Sequence, residues 1–356
     1  MLDRFTENVA AVQLHHNQSE ERYFIEFNNN FFLISEFTFG FIEYIKKNPG
    51  INYGSIGNQF QLSPEETTFI VENLNNEVHD IISTEHKSSV KLKITLLNAR
   101  YVNMISDKLK FLIRPGLLQF TIGLLAVVAM YIGMYYYLKG HITKVTGVNY
   151  YILYPIFMCT LIIHELGHSV ATKRFNLAPR EIGFGLFFIL PVLYSNISCI
   201  WVLDKEKRII VNLSGIFFQL FFTLVMSLIF FAHKEFLFVL YNINIAVIFF
   251  SLFPFIKTDG YWVLSDFFGK PNLFENSNQY LYKLFKKEVK FDLFYFFYSI
   301  AHFIFIFYVL SIFIRNMSGV LDIDFHNITY ISLFKGIYSL IFVYFLINSI
   351  ISKFKS

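Results

Sequence analysis

The sequence predicts a polytopic α-helical membrane protein, with about six transmembrane helices and a re-entrant hairpin, carrying a small N-terminal α+β winged-helix-like cytoplasmic domain. Three observations predict it. Of 356 residues, 55% are hydrophobic, 20% aromatic and only 16% charged, well to the apolar side of a soluble domain. Apolar stretches fall near 116–138, 149–172, 209–232, 236–256, 292–314 and 331–352, each close to the roughly 20 residues that a spanning helix needs. The first hundred or so residues are instead polar and mixed, without a charged-then-apolar signal segment, so the front part is expected to stay on the side of synthesis.

Residues 1–85 read as the soluble part. Val9–Leu14 and Arg22–Phe27 have strand character, and Asn28-Asn29-Asn30 marks a turn before Phe31–Ile34. Ser35–Lys47 places Phe37, Phe41, Tyr44 and Ile45 at helical spacing and stops at Asn48-Pro49-Gly50. A shorter helix is expected over Tyr53–Phe60. Ser63-Pro64-Glu65-Glu66 is a capping box with proline at the first helical position, opening a helix to about Asn75.

Residues 86–114 hold Lys87, Lys91, Lys93, Arg100, Lys108, Lys110 and Arg114 and form a basic juxtamembrane linker, read as a positive-inside flank or, over 96–113, as a segment lying along the interface. Residues 115–356 make the transmembrane domain. Lys173, Arg174, Arg180, Lys205, Lys207 and Arg208 follow the second span, and Lys257, Lys270, Lys283, Lys286, Lys287 and Lys290 follow the fourth. This asymmetry puts both termini in the cytoplasm. The net charge is only +4 and the cations sit beside apolar spans, so nothing points to nucleic acid. Cys159 and Cys199 fit neither a zinc-finger spacing nor a disulfide framework.

The chemistry concentrates in His164-Glu165-Leu166-Gly167-His168, inside the second apolar stretch. An ionisable group near the bilayer centre costs roughly 2.5 to 3.5 kcal/mol on insertion scales, so two imidazoles and a carboxylate in one turn need a partner. A metal is that partner. Positions i and i+4 share a helix face, so His164 and His168 can offer two nitrogens to one Zn²⁺. Glu165 lies about 100° round the helix, placed to take a proton from water. A second polar intrusion, Asp259, follows Pro254 at the end of the fourth span and supplies a third ligand of the His₂-carboxylate kind. Between them, Gly183–Tyr194 is apolar, too short to span, and carries Gly183, Gly185 and Pro191. It is read as the re-entrant hairpin beside the metal, where it could hold an extended substrate by strand pairing.

With His164–His168 and Asp259-Gly260 in place, the chain resembles the site-2 protease family of intramembrane zinc metalloproteases. Pro254–Trp262, Glu181–Gly185 and Pro191–Tyr194 are similar to its peptide zinc metalloprotease branch. Ile34–Ile45 and Gln61–Glu66 resemble the PqqD-like domain that recognises leader peptides. The resemblance implies a zinc endopeptidase of a bacterial cytoplasmic membrane, acting on a peptide or membrane-protein substrate. A ribosomally made peptide of bacteriocin or signal type is the first substrate class, with export or peptide-modifying proteins as further partners; a membrane-anchored regulator is the second. A non-proteolytic immunity or export protein is the third reading. Two positions depart from the family pattern. Phe253 stands where an asparagine is usual, and Asn196 where many relatives have an acid. Asn196 and Asn212 are candidate substrate clamps. Gln219, Asn242, Asn244 and His302 are expected to make interhelical hydrogen bonds.

Overall fold

The computed structural model describes residues 2–28, 30–83, 90–139, 149–187, 190–270 and 272–321. The chain opens with α1 (Leu2–Ala11), where the sequence had suggested a strand from Val9. Leu2, Phe5, Val9 and Val12 recur at helical spacing, and Phe5, Val9 and Val12 are fully buried. Their burial outweighs the strand propensity of a short Val-Ala-Ala-Val run. Then come β1 (Gln13–Asn17), β2 (Arg22–Phe27) and β3 (Asn30–Ile34), an antiparallel sheet in the order β1-β2-β3 that pairs Leu14 with Ile25 and Phe24 with Leu33.

Three helices follow: α2 (Glu36–Lys47), α3 (Tyr53–Phe60) and α4 (Pro64–Ser83). Ser35 caps α2, its Oγ accepting from the Thr38 amide at 3.0 Å. The capping box at α4 is reciprocal: the Ser63 amide donates to Glu66 Oε2 at 2.8 Å, and the Glu66 amide to Ser63 Oγ at 3.2 Å. Hydrogen bonds from the Ser63 amide, first, and then from its hydroxyl hold the Glu66 carboxyl below its ordinary range. α4 runs beyond the expected Asn75 because Val78, Ile81 and Ile82 extend its apolar stripe into the same core as Phe5, Ile25, Phe41, Ile42 and Ile56.

Next are β4 (Val90–Leu97) and α5 (Ala99–Leu109), then a single 3₁₀ turn, Lys110–Leu112. From Val90 onward the basic linker is therefore structured. Val90-Lys-Leu-Lys-Ile-Thr-Leu alternates with the period of a strand, and α5 buries Val102 and Ser106. The remaining elements are α6 (Pro115–Lys139), α7 (Tyr150–Arg174), β5 (Ile182–Phe187), β6 (Leu190–Ser195), a 3₁₀ turn over Ser198–Val202, α8 (Lys205–Ile229), α9 (Lys234–Ser251), α10 (Asp259–Phe268), α11 (Leu273–Phe285) and α12 (Leu293–Leu321).

Among the described residues, three helices are long and apolar enough to cross a membrane: Tyr151–Arg174, Lys205–Ile229 and Lys234–Ser251. The apolar parts Gln119–Tyr135 of α6 and Leu293–Tyr308 of α12 are shorter, and the expected span at 331–352 lies outside the described residues. The segment expected as a hairpin forms two strands, β5 and β6, in a three-stranded sheet of order β4-β5-β6. The fourth span ends earlier than expected. Pro254 disfavours helix at its own position and the one before it, so α9 stops at Ser251 and Asp259 begins a separate helix. Helix α11 was not foreseen.

The chain divides into two compact units. The first takes the described parts of Met1–Ser88, Thr95–Gly183 and Leu193–Ile245; the second takes those of Ser89–Ile94, Phe184–Val192 and the chain from Ala246 onward. Within the first unit the front layer meets the start of α8 through charge. Ser19 Oγ donates to Asp204 Oδ1. The Lys205 amide donates to Glu20 Oε1 at 2.5 Å, satisfying one of the open amides of the first turn of α8. The buried Arg208 guanidinium lies 3.5 Å from Glu20 Oε2 and donates to the Leu203 carbonyl at 2.5 Å. Arg180 reaches Glu26 at 3.3 Å. Within the second unit, Lys270 pairs with Asp292 at 2.5 Å, which holds that carboxyl low and the ammonium high.

Candidate metal centre

Helix α7 starts at Asn149, whose Oδ1 accepts from the Tyr151 amide at 3.0 Å, and carries His164 and His168 in its second half. Both are buried, at 6% and 3% exposure, with ring centroids 5.0 Å apart and planes 77° apart. What they face is α8. His168 Nδ1 is 2.8 Å from the Val211 carbonyl oxygen. A carbonyl only accepts, so Nδ1 of His168 carries a proton, and in the neutral ring Nε2 is then the nitrogen that can take a metal. His164 Nδ1 is 3.0 Å from Gln219 Oε1, and Gln219 Nε2 in turn donates to Asn244 Oδ1 at 2.9 Å. This fixes the same tautomer on His164.

Both Nε2 atoms converge above Gly215. A Cβ on Gly215 would run into Nε2 of both rings, 2.7 Å from that of His164. Only glycine leaves that space open. Gly167, within the histidine motif, plays the matching part on α7. A Cβ there would fall 2.9 Å from Phe218 Cβ and 3.0 Å from Gly215 Cα, and the Gly167 carbonyl accepts from Ser214 Oγ at 2.9 Å. Two facing glycines thus let α7 and α8 approach closely enough for backbone and amide groups of α8 to reach the imidazoles, the use that membrane helices make of small residues.

Asp259 is the first residue of α10. The turn before it is tight. Thr258 Oγ1 donates to the Phe253 carbonyl at 2.8 Å and Tyr298 Oη to the Pro254 carbonyl at 2.8 Å. A Cβ on Gly260 would strike the backbone of Leu252, 2.6 Å from its Cα. Phe253 packs between Phe305 and Phe255, with centroids at 4.9 and 5.5 Å. His164 and His168 belong to the first compact unit and Asp259 to the second. Two imidazoles and a carboxylate are the donor types of a hydrolytic zinc, so these residue types fit that ion.

Glu165 is half-buried on α7 beside His164. Asn212 is buried on α8, next to Val211. Asn196 closes the base of the β5–β6 segment. Its Nδ2 donates to Glu181 Oε1 and its amide to the Glu181 carbonyl, both at 2.9 Å, while its carbonyl accepts from the Arg180 amide at 3.0 Å. Gly183 and Gly185 are buried in β5. The sequence reading passed over Gly215 and treated Gln219 and Asn244 as ordinary interhelical polar groups. The available signal was a glycine and an amide at i and i+4 on one face of an otherwise apolar helix.

No protein-family model matches the chain, and no solved structure matches it. A curated protein of Bacillus subtilis (strain 168), named "Putative peptide zinc metalloprotease protein YydH", is 29% identical over 114 residues, which are 31% of this chain and 45% of that protein. The chain thus spans a little under half the length of the relative it matches.

Proposed function

We propose that this chain is a membrane-embedded zinc peptidase in which His164, His168 and Asp259 hold the metal and Glu165 moves the proton. The observation that carries the reading is the pair of buried imidazoles, each tied through Nδ1 to α8, with both Nε2 atoms beside Gly215. A burial of this kind is costly in an apolar helix unless a cation repays it. The name of the relative supports the same direction.

Zinc, when bound, supplies a Lewis acid that polarises a carbonyl and acidifies water. The rest is done by the chain. Glu165 accepts the proton of the attacking water and returns it to the leaving amine nitrogen as the peptide bond breaks. Gly167 and Gly215 hold the two histidines against α8, and the apolar wall of α7 and α8 restricts water at the carboxylate. The substrate is a membrane-associated chain. The strands carrying Gly183 and Gly185 would present it extended by strand pairing, with Asn212 and Asn196 as contacts and the winged-helix-like front layer binding the leader of a ribosomally made peptide. This is the arrangement of a site-2 protease with a PqqD-like front domain, in a bacterial cytoplasmic membrane with both termini inside.

Peptides from cells carrying the wild type and Glu165→Gln decide the matter. The account expects a cleaved product only with the wild type; equal cleavage by Glu165→Gln would overturn it. Removal of residues 1–85 separates the substrate classes. It should stop cleavage of a leader-bearing peptide and spare that of a membrane-anchored regulator. A second reading, a non-proteolytic immunity or export protein, is favoured by two observations. Phe253 is packed into an aromatic cluster, and the Asn196 amide is engaged with Glu181. Resistance or export that survives Glu165→Gln would select it.

A further inference from the structure

We propose that α9 is part of the metal centre, with Asn244 acting through Gln219 as an orientation relay that sets the tautomer of His164; the inference rests on the zinc reading above. A glutamine side chain offers either a carbonyl oxygen or an NH₂ to a neighbour, and the two ends are nearly the same shape. Only the oxygen keeps the proton of the neutral His164 ring on Nδ1, so that Nε2 is the nitrogen that can take a metal. If the NH₂ faced Nδ1 instead, that nitrogen would have to accept, the proton would move to Nε2, and the ligand would be lost.

The choice is made on α9. Asn244 Nδ2 donates to the Leu240 carbonyl at 2.8 Å, a partner that only accepts, so the Asn244 amide cannot turn over. Its Oδ1 therefore faces α8, where it accepts from Gln219 Nε2 at 2.9 Å and from Thr223 Oγ1 at 3.0 Å. With Nε2 so engaged, Gln219 Oε1 is left for His164 at 3.0 Å. Gln219 and Asn244 are 0% and 3% exposed, so water does not compete for these bonds. His168 needs no such device, because its Nδ1 meets a backbone carbonyl whose polarity is fixed. Gln219 and Asn244 are thus positioning residues for one ligand of the two.

The test is zinc affinity of the purified full chain in detergent, read by competition with a chromophoric chelator, together with the visible spectrum of the cobalt-substituted protein. Gln219→Leu should weaken zinc binding by about 10- to 100-fold, the usual size for loss of such a partner. Asn244→Ala should weaken it less, because the backbone carbonyl of residue 244, 3.4 Å from Gln219 Nε2, still accepts from it. The deciding comparison uses Gln219→Glu. A carboxylate presents an oxygen to His164 whichever way it turns, and its second oxygen would face Asn244 Oδ1, acceptor against acceptor. In that background Asn244→Ala should leave zinc affinity unchanged or raise it, with a cobalt spectrum like that of the wild type. An equal loss from Asn244→Ala in both backgrounds would overturn the relay, since general packing damage does not depend on residue 219. This comparison stands even where Gln219→Leu does not fold. A wild type without zinc would overturn the proposed function itself, whereas a wild type with zinc whose affinity ignores residues 219 and 244 would overturn the relay alone.

Discussion

The contact between α7 and α8 and the joint between the front layer and the start of α8 are both polar, yet they are built in opposite ways. Between α7 and α8 the polar groups are neutral and buried, and they are matched donor to acceptor: His168 to Val211, His164 to Gln219, Ser214 to Gly167. At the joint they are mostly charged and partly exposed: Glu26 with Arg180, Ser19 with Asp204, Glu20 with Lys205 and Arg208. Exposed ion pairs contribute only about 0 to 1 kcal/mol each and weaken with salt, whereas a buried partner left unpaired costs about 1 to 3 kcal/mol. The first contact is suited to holding a ligand geometry. The second is suited to an attachment that can be loosened.

Changes in the α7–α8 contact should have the larger effects. Gly215→Ala should remove stoichiometric zinc, because its methyl group would collide with Nε2 of both rings and displace them; metal content per chain checks it. In the front layer, Phe41→Ala should cost about 3 to 5 kcal/mol of that layer's stability by opening its core, while zinc content stays at the wild-type level. Thermal unfolding followed alongside metal release would show whether the two regions separate in this way. At the joint, Glu20→Ala leaves the Lys205 amide and the buried Arg208 without their carboxylate and should cost about 1 to 3 kcal/mol. Raising salt in the wild type should reproduce only the exposed part of that loss.

Acid should act on the joint next. The Asp204 carboxyl is held below its ordinary range, first by the hydrogen bond from Lys207 and then by that from Ser19. A depressed carboxyl contributes stability that is complete above its unfolded value, near 3.9 for a free aspartate, and is lost as pH falls through the lower folded value. Unfolding midpoints measured between about pH 5 and pH 2 should fall more steeply in the wild type than in Asp204→Asn. The smallest effect concerns Cys199, whose thiol burial pushes up to about 11. Its alkylation should be slow near neutrality and speed up with pH towards that value, since the thiolate is the reacting form.

How far the sequence could be read depended on whether a pattern belonged to one element or to two. The capping box at Ser63–Glu66 and the helix over Tyr53–Phe60 were legible because every determinant is local. The strand assigned at Val9 failed because the fate of Val9 and Val12 is decided by their burial with Phe5 in the front core, far along the chain. The strand at Val90–Leu97 was missed because its lysines were read as topology charges and not as one face of an alternation. At the centre, the spacing of His164 and His168 announced a shared face, and Pro254 announced the break before Asp259. Gly215, Gln219 and Asn244 were not legible as site residues. Their meaning comes from the approach of α8 to α7 and from which end of an amide faces a ring, and no local pattern encodes either.

The central claim is that the two buried histidines, each held through Nδ1 by α8, ligate zinc. Metal analysis of the purified full-length chain tests it most directly, run beside Glu165→Gln and the double variant His164→Ala, His168→Ala. The account predicts one zinc per chain in the wild type and in Glu165→Gln, and none in the double variant. A wild type without zinc, or a double variant that keeps it, would contradict the claim.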